Sequence, residues 1–233
     1  MRVLAKVLLL LVGLPLSAAD RPAEVVVLCT LHQMHEEVSS YSYAALSDAI
    51  VRLQPTVLMV ELTPSDLAGR AEQKNKREYQ NSVYPLLQQH KWTAVAMEPE
   101  GPQRAELLGR VREAEERLAR EAPQKLEAFQ FYVESLFSYL QPRWRSPADA
   151  NASWTDDQFA VKHTFQNKLF GPKEEEGWEG WNHYFLDRIT VTAKVNPGSR
   201  VVVLVGVEHC YWLRAHLRNA PGTTLLDTAS LLR

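Results

Sequence analysis

Two stretches near opposite ends of the chain place histidines and carboxylates where an apolar run stops. They are VVVLCTLHQMHEE, Val25 to Glu37, and VVVLVGVEHCYW, Val201 to Trp212. Aligned on their histidines, each carries a small residue, Cys29 or Gly206, three positions before His32 or His209. Two further runs, TVLMVELTP and WTAVAMEPE, deliver Glu61 and Glu98 in the same way. A glutamate at the tail of a buried run is desolvated, and burial raises its pKa towards the range useful for proton transfer. Two histidines with one or two carboxylates suit a zinc-like or manganese-like ion that keeps a water position open. Without a metal, a neutral histidine oriented by a glutamate serves as a general base. Spacing does not separate these chemistries. The helical HExxH zinc motif is absent from the chain, so a metal site would be assembled from distant strands. Gly206 is expected to offer a positive φ and room for another group to approach closely.

Such residues are useful only if the intervening chain brings them together. Apolar, valine-rich runs at Glu24 to Thr30, Thr56 to Leu62, Trp92 to Met97, Arg200 to Val207 and Thr223 to Leu226 read as strands buried on both faces. Helical patterns lie between them. Tyr41 to Leu53 sets Ala45, Leu46, Ala49, Ile50 and Leu53 on one face. The alternation predicts an α/β fold with a central, mainly parallel or mixed sheet flanked by helices. Residues 20–233 are read as one domain, with 101–196 a largely helical insert. In that insert, Gln103 to Leu140 is a charged helical stretch broken at Pro123. Leu126, Phe129, Val133, Leu136, Phe137 and Leu140 form the packing stripe of its second helix. Pro142, Pro147 and Asn151 mark Gln141 to Asn151 as a loop. A helix from Asp156 ends near Gly171; the glycine- and glutamate-rich run after it reads as a flexible acidic loop, then a helix that stops before Pro197. In an open α/β sheet the ligand crevice lies outside the carboxyl ends of the strands, where all four candidate residues fall.

At 233 residues and 45% hydrophobic content the chain can bury a sizeable core. A formal net charge of -2 supplies no field for nucleic acid. The basic clusters Arg70 to Arg77 and Arg143 to Arg145 lack interleaved aromatics and read as solvated faces. MRVLAKVLLLLVGLPLSAAD has the basic start, short apolar run and small-residue end of a signal peptide, residues 1–19, cleaved after Ala19. The mature protein is therefore expected in a periplasm or outside the cell, with no stable membrane anchor. An oxidising compartment would link Cys29 and Cys210 if their Cα atoms came within about 7 Å; the expectation is that they are half-buried and unlinked. Asn151 opens an NAS tripeptide that fits a glycosylation acceptor.

The order of CTLH, VELTP, AMEPE, a late arginine helix and GVEHCYWLRAHL resembles the superfamily that contains the TIKI, TraB and GumN proteins, the erythromycin esterases and the ChaN haem-binding lipoproteins. The resemblance covers most of the mature chain and is nearest to an uncharacterised bacterial branch. It maps the two G-x-x-H motifs onto Cys29 to His32 and Gly206 to His209, the strand-ending glutamate onto Glu61, and a helical arginine onto Arg188. Cys29 departs from the glycine pattern, and Ile189 stands where the family often has asparagine. TIKI-like members imply metal-dependent proteolysis with His32, Glu61 and His209 as ligands to Zn, Mn or Co. Erythromycin-esterase-like members imply metal-independent hydrolysis in which a histidine activates water and Arg188 stabilises negative charge. ChaN-like members imply haem binding without turnover. The expectation is an exported hydrolase acting on a peptide or small-molecule ester, with His32, Glu61, Glu98, Arg188 and His209 as its working residues.

Simpler readings accompany several neighbours. His35 is expected to be a solvated loop histidine, and Glu208 to point away from His209 by strand alternation. Trp178, Trp181, Tyr184 and Phe185 read as core or lid, with His183 on the pocket wall. Cys29 as a nucleophile based on His209 is the remote alternative.

Overall fold

Uninterrupted apolar runs need cover on both sides, and a parallel sheet provides it. The computed structural model, which describes residues 21–233, has a five-stranded, all-parallel sheet flanked by helices. The signal-peptide segment lies outside the described residues. The strands are β1 (Ala23–Thr30), β2 (Val57–Val60), β3 (Thr93–Ala96), β4 (Arg200–Gly206) and β5 (Thr223–Leu225), in the order β3-β2-β4-β1-β5. Each lies within about two residues of its predicted run. Expected burial on both faces holds for β1, β2 and β4. It fails for β3 and β5, which are sheet edges with one strand neighbour and stay partly exposed.

Helix α1 (Tyr43–Leu53) starts two residues later than its periodicity suggests. Ser42 is the reason: it is extended, and its hydroxyl accepts from the Ala45 N–H to cap the helix after a 3-10 turn at Ser39–Tyr41. Short helices α2 (Pro64–Gly69) and α3 (Tyr84–Gln89) link β2 to β3, with a π-helical turn at Tyr79–Val83 ahead of α3. Between β3 and β4 run α4 (Gly101–Glu121), α5 (Pro123–Leu140), α6 (Pro147–Ala150), α7 (Ser153–Phe170) and α8 (Pro172–Val195). Pro123 divides α4 from α5, as expected. Leu136 and Leu140 join the main core. Phe129 belongs to a second, smaller cluster with Ala114, Leu118 and Phe170. Helices α9 (Val207–Leu217) and α10 (Thr228–Leu232) complete the described elements.

Two loop expectations are corrected. The acidic GPKEEEG run is the first turn and more of α8, because Pro172 opens the helix and Glu174 and Glu175 meet its positive end. Gly177 and Gly180 are a contact seam: an added Cβ would lie 2.8 Å from Val111 Cγ2 or 2.7 Å from Leu107 Cδ2 on α4. The Gln141 to Asn151 loop contains α6, capped by Ser146, whose hydroxyl accepts from the Asp149 N–H at 3.2 Å. Asn151 itself is 3% exposed, and its side chain accepts from the Cys29 N–H and donates to the Pro147 carbonyl. The folded protein does not present it as a glycosylation acceptor.

Cys29 and Cys210 are joined in a disulfide, with Cα atoms 6.0 Å apart, and both are fully buried. This overturns the expectation of unlinked, half-buried cysteines and removes Cys29 as a nucleophile. α9 folds back onto β1 from the end of β4, which sets the two cysteines side by side. Arg214 reinforces the junction through Asp156, the Val27 carbonyl and Asn151. Because the bridge spans 181 residues, replacing both cysteines by alanine should lower unfolding stability by roughly 2–5 kcal/mol. A shift of the urea midpoint, reproduced by reductant in the wild type, would check this; equal midpoints would contradict it.

Candidate active site

β1 and β4 are neighbours in register, so their carboxyl ends, Thr30 and Gly206, lie level. His32 follows one end, and α9 begins directly after the other. The chain leaves β1 with His32 at φ 52°, a left-handed conformation that a non-glycine residue holds only when its surroundings impose it. Two supports impose it here. The Gln33 N–H donates to the Asn75 carbonyl at 3.0 Å. His35 accepts the Leu31 N–H at Nε2, 2.9 Å, and its Nδ1–H donates to the Tyr41 carbonyl at 2.5 Å. His35 is thus a buried structural residue, 1% exposed, and not the solvated bystander expected. Burial pushes its pKa down to about 4, so it stays neutral and keeps both bonds.

His32 donates from Nδ1 to Glu78 Oε1 at 2.7 Å, and Thr30 donates to the same oxygen at 3.1 Å. Glu78 is wholly buried at the start of the π-helical turn. The pairing leaves His32 Nε2 as the open nitrogen, without a hydrogen bond among the described residues. Burial would lower the His32 pKa, but the Glu78 charge and hydrogen bond, with help from Glu61, outweigh it and the net shift is upward. Gly206 faces this ring: a Cβ there would lie 2.5 Å from His32 Nε2. Its φ of -54° is ordinary, so the glycine serves close approach and not the positive φ expected. Gly206→Ala should therefore displace the His32 ring and cost about 1–3 kcal/mol. Imidazole NMR signals of His32 unchanged from wild type would overturn that expectation.

Glu61 stands at the end of β2, 4% exposed. Its Oε2 accepts the Gly206 N–H at 2.6 Å and lies 4.0 Å from His32 Nε2. Its Oε1 accepts from Lys76 at 2.8 Å, and Lys76 also reaches Glu98 Oε1 at 2.5 Å. Burial alone would raise the Glu61 pKa, as predicted, but Lys76, His32 and His209 overcome it and hold the carboxyl at about 2. Glu98 behaves as expected: burial, opposed by Lys76 and helped by the Glu61 charge, leaves its pKa raised. Glu98 backs Lys76 and does not line the chamber beside His32. Arg77 is exposed as predicted, but Lys76 and Glu78 beside it turn inward.

His209 lies in the first turn of α9. Asn182 donates from its amide nitrogen to the Trp178 carbonyl, so its Oδ1 is presented to His209 Nδ1 at 2.9 Å. That fixes the tautomer with Nδ1 protonated and Nε2 open. Burial lowers the His209 pKa to about 4, against the opposing charge of Glu61. Trp178 stacks on His209 with ring centroids 4.5 Å apart and on His163 at 3.7 Å. Glu208 also faces the chamber, contrary to the alternation argument, because a helix has already begun at Val207. Lys162 at 2.7 Å and His163 at 3.0 Å hold one of its oxygens.

His32, Trp178, Gly206, Glu208 and His209 line a single chamber of about 370 Å³, closed on its apolar side by Met34 and Phe137. Arg188 is not among its lining residues and donates to the Ala96 carbonyl at 3.4 Å, with no ion pair to Glu61 or Glu98 among the described residues. His183 is exposed beside Trp212, not on the chamber wall. For a metal, the chamber offers two open imidazole nitrogens. Glu61 would reach a metal only through a remaining lone pair, since an ammonium holds Oε1 and a backbone N–H holds Oε2. Among the described residues no group of three His, Cys, Asp or Glu side chains is arranged to hold a metal ion.

Glu78, Lys76, Asn182, Lys162 and His163 escape a sequence reading. The KNKREYQNS stretch looks like solvated loop, and its one clue is a polar pair, Lys76 and Glu78, on alternate positions before an aromatic. No family model, curated protein or solved structure matches the chain, so its site is read from these contacts alone.

Proposed function

We propose that the protein is a hydrolase of ester or peptide bonds in which His32 is the general base and Glu78 its orienting partner. The observation that carries the reading is the 2.7 Å bond from His32 Nδ1 to the buried Glu78, with Nε2 left open in a chamber of substrate size. In the step this implies, a water in the chamber attacks the carbonyl carbon as His32 Nε2 takes its proton. Glu78 stabilises the imidazolium so formed, and His32 returns the proton to the leaving oxygen or nitrogen. The leading N–H groups of α9, which lack intrahelical acceptors, lie at the chamber wall beside Gly206 and receive the developing oxyanion. Glu61, held as a carboxylate by Lys76, keeps the second side of the His32 ring electrostatically favourable for a positive charge. Arg188 has no place in this step.

A disulfide beside the site agrees with work in an oxidising compartment, so the protein is read as exported, periplasmic or secreted. No helix of the described residues is long and apolar enough to cross a membrane. Its substrate is a small ester or a peptide, and nucleic acid is not a partner in this reading.

A second reading has one observation in its favour. The Nδ1 atoms of His32 and His209 are both tied to oxygen acceptors, as metal-ligating imidazoles commonly are. Zn, Mn or Co on their open Nε2 atoms would polarise a carbonyl or bound water. An ester and peptide panel, run with and without chelator, separates the two. The histidine reading expects turnover that resists chelation, rises with pH through a pKa above the usual histidine value, and disappears in His32→Ala. Turnover abolished by chelator and restored by metal would replace it with the metal reading. Turnover that survives His32→Ala would sink both. A Soret band on adding haem, lost in His209→Ala, would favour the binding protein instead.

A further inference from the structure

The chamber has a second polar wall that the proposed reaction does not use. Glu208 contributes it from the first turn of α9, one residue before His209. Its Oε2 is fixed from behind by Lys162 Nζ at 2.7 Å and His163 Nε2 at 3.0 Å. Both partners are buried, at 6% and 2% exposure, and neither lines the chamber. Oε1 has no hydrogen-bond partner among the described residues, while Glu208 itself remains partly exposed on the chamber wall. An oriented carboxylate with one oxygen tied down and the other open is a preorganised acceptor for a donor group.

Of the carboxylates at this end of the sheet, Glu61 and Glu98 are paired with Lys76, Glu98 also with Arg104, and Glu78 with His32. Glu208 is the carboxylate that lines the chamber. Trp178 is already stacked on His163 and His209, so a cation entering the chamber is better met by a carboxylate. The lining also includes the apolar side chains of Met34, Phe137 and Val207.

We propose that Glu208 is a specificity-determining residue that binds a primary ammonium of the substrate, so that the site takes amino-acid or peptide units with a free α-amino group and an apolar side chain. The inference rests on the chamber being the substrate site, and deepens that reading. The ammonium donates to Glu208 Oε1, the side chain lies against Met34 and Phe137, and the carbonyl is left towards His32.

Binding can be read apart from turnover. Calorimetric titration of the whole protein with leucinamide and with N-acetyl-leucinamide, near pH 6.5 where the free amine is charged, compares the cation with its neutral N-acyl analogue. Leucinamide should bind roughly tenfold tighter or more in wild type, and the ratio should fall below about threefold in Glu208→Gln. Because that variant leaves Lys162 without its partner, the wild-type ratio is also measured near pH 9.5, above the usual α-amino pKa, where it should collapse in the same way. Equal affinities in wild type, a preference that persists at both pH values, or no binding of either amide at about 10 mM would overturn the proposal. Loss of the hydrolase reading would show differently, as absent turnover across the ester and peptide panel with this ratio intact.

Discussion

Glu78→Gln should lower kcat/KM by roughly 100- to 1,000-fold while the protein still unfolds cooperatively. The carboxylate accepts from both Thr30 and His32 Nδ1 in a fully buried position. An amide there keeps the shape but carries a neutral head with two donor hydrogens. Its NH₂ group, facing His32, would favour the tautomer protonated at Nε2, which cannot take a proton from water. Even with the amide oxygen turned to His32, the imidazolium formed during attack would lose the charge that stabilises it. The His32 pKa, raised in wild type with Glu78 as the main upward cause, should fall in the variant. An NMR titration of the imidazole reads that fall without any substrate. If the His32 pKa and the pH dependence of turnover both matched wild type, Glu78 would be a packing residue and the base would lie elsewhere.

Lys76→Met is expected to have the largest effect on stability, about 3–5 kcal/mol. Its ammonium is the cation shared by Glu61 and Glu98, at 2.8 and 2.5 Å, and both carboxylates are buried. Removing it leaves two like charges close together with little solvent to screen them. The pH dependence carries the same signature. Glu61 is held at about 2 in the folded protein against an ordinary value of 4.5, so its ionised form adds stability that is complete above about 4.5 and is lost as pH falls through about 2. A shift of that size is worth on the order of 3 kcal/mol. Glu98, pushed upward by burial, works in the opposite sense and reduces the net slope. In Lys76→Met the Glu61 contribution should be lost, so that acidification destabilises the protein less over that window. Urea unfolding at several pH values checks it, and parallel stability curves for wild type and variant would refute the shared-cation role.

The two expectations concern residues that differ in how they can be found. β1, β2 and β4 are legible from sequence because a strand covered on both sides must be a continuous apolar run, and nothing but local order is needed to see one. α1 and the Pro123 break are legible for the same reason: periodicity and a missing N–H act over a few residues. The strand-end rule then puts His32, Glu61 and His209 at one edge of the sheet, and the register of Thr30 with Gly206 draws the two histidine motifs to one chamber.

The protonation states were decided elsewhere. Lys76 and Glu78 lie in a stretch that is polar by composition, and only the packing of that stretch across the ends of β1 and β2 buries them. Glu208 changed sides because α9 starts one residue before it, and His163 on α7 and Asn182 on α8, far away in sequence, hold Glu208 and His209 from behind. Cys29 departs from the glycine of the motif it resembles, and its link to the one other cysteine, Cys210, was decided only when α9 folded onto β1. Sequence alone determined which residues stand at the strand ends, because hydrophobic patterning is local. Tertiary structure decided which of them are charged, paired or open, because burial and Coulomb interactions depend on neighbours that the chain supplies from dozens of residues away.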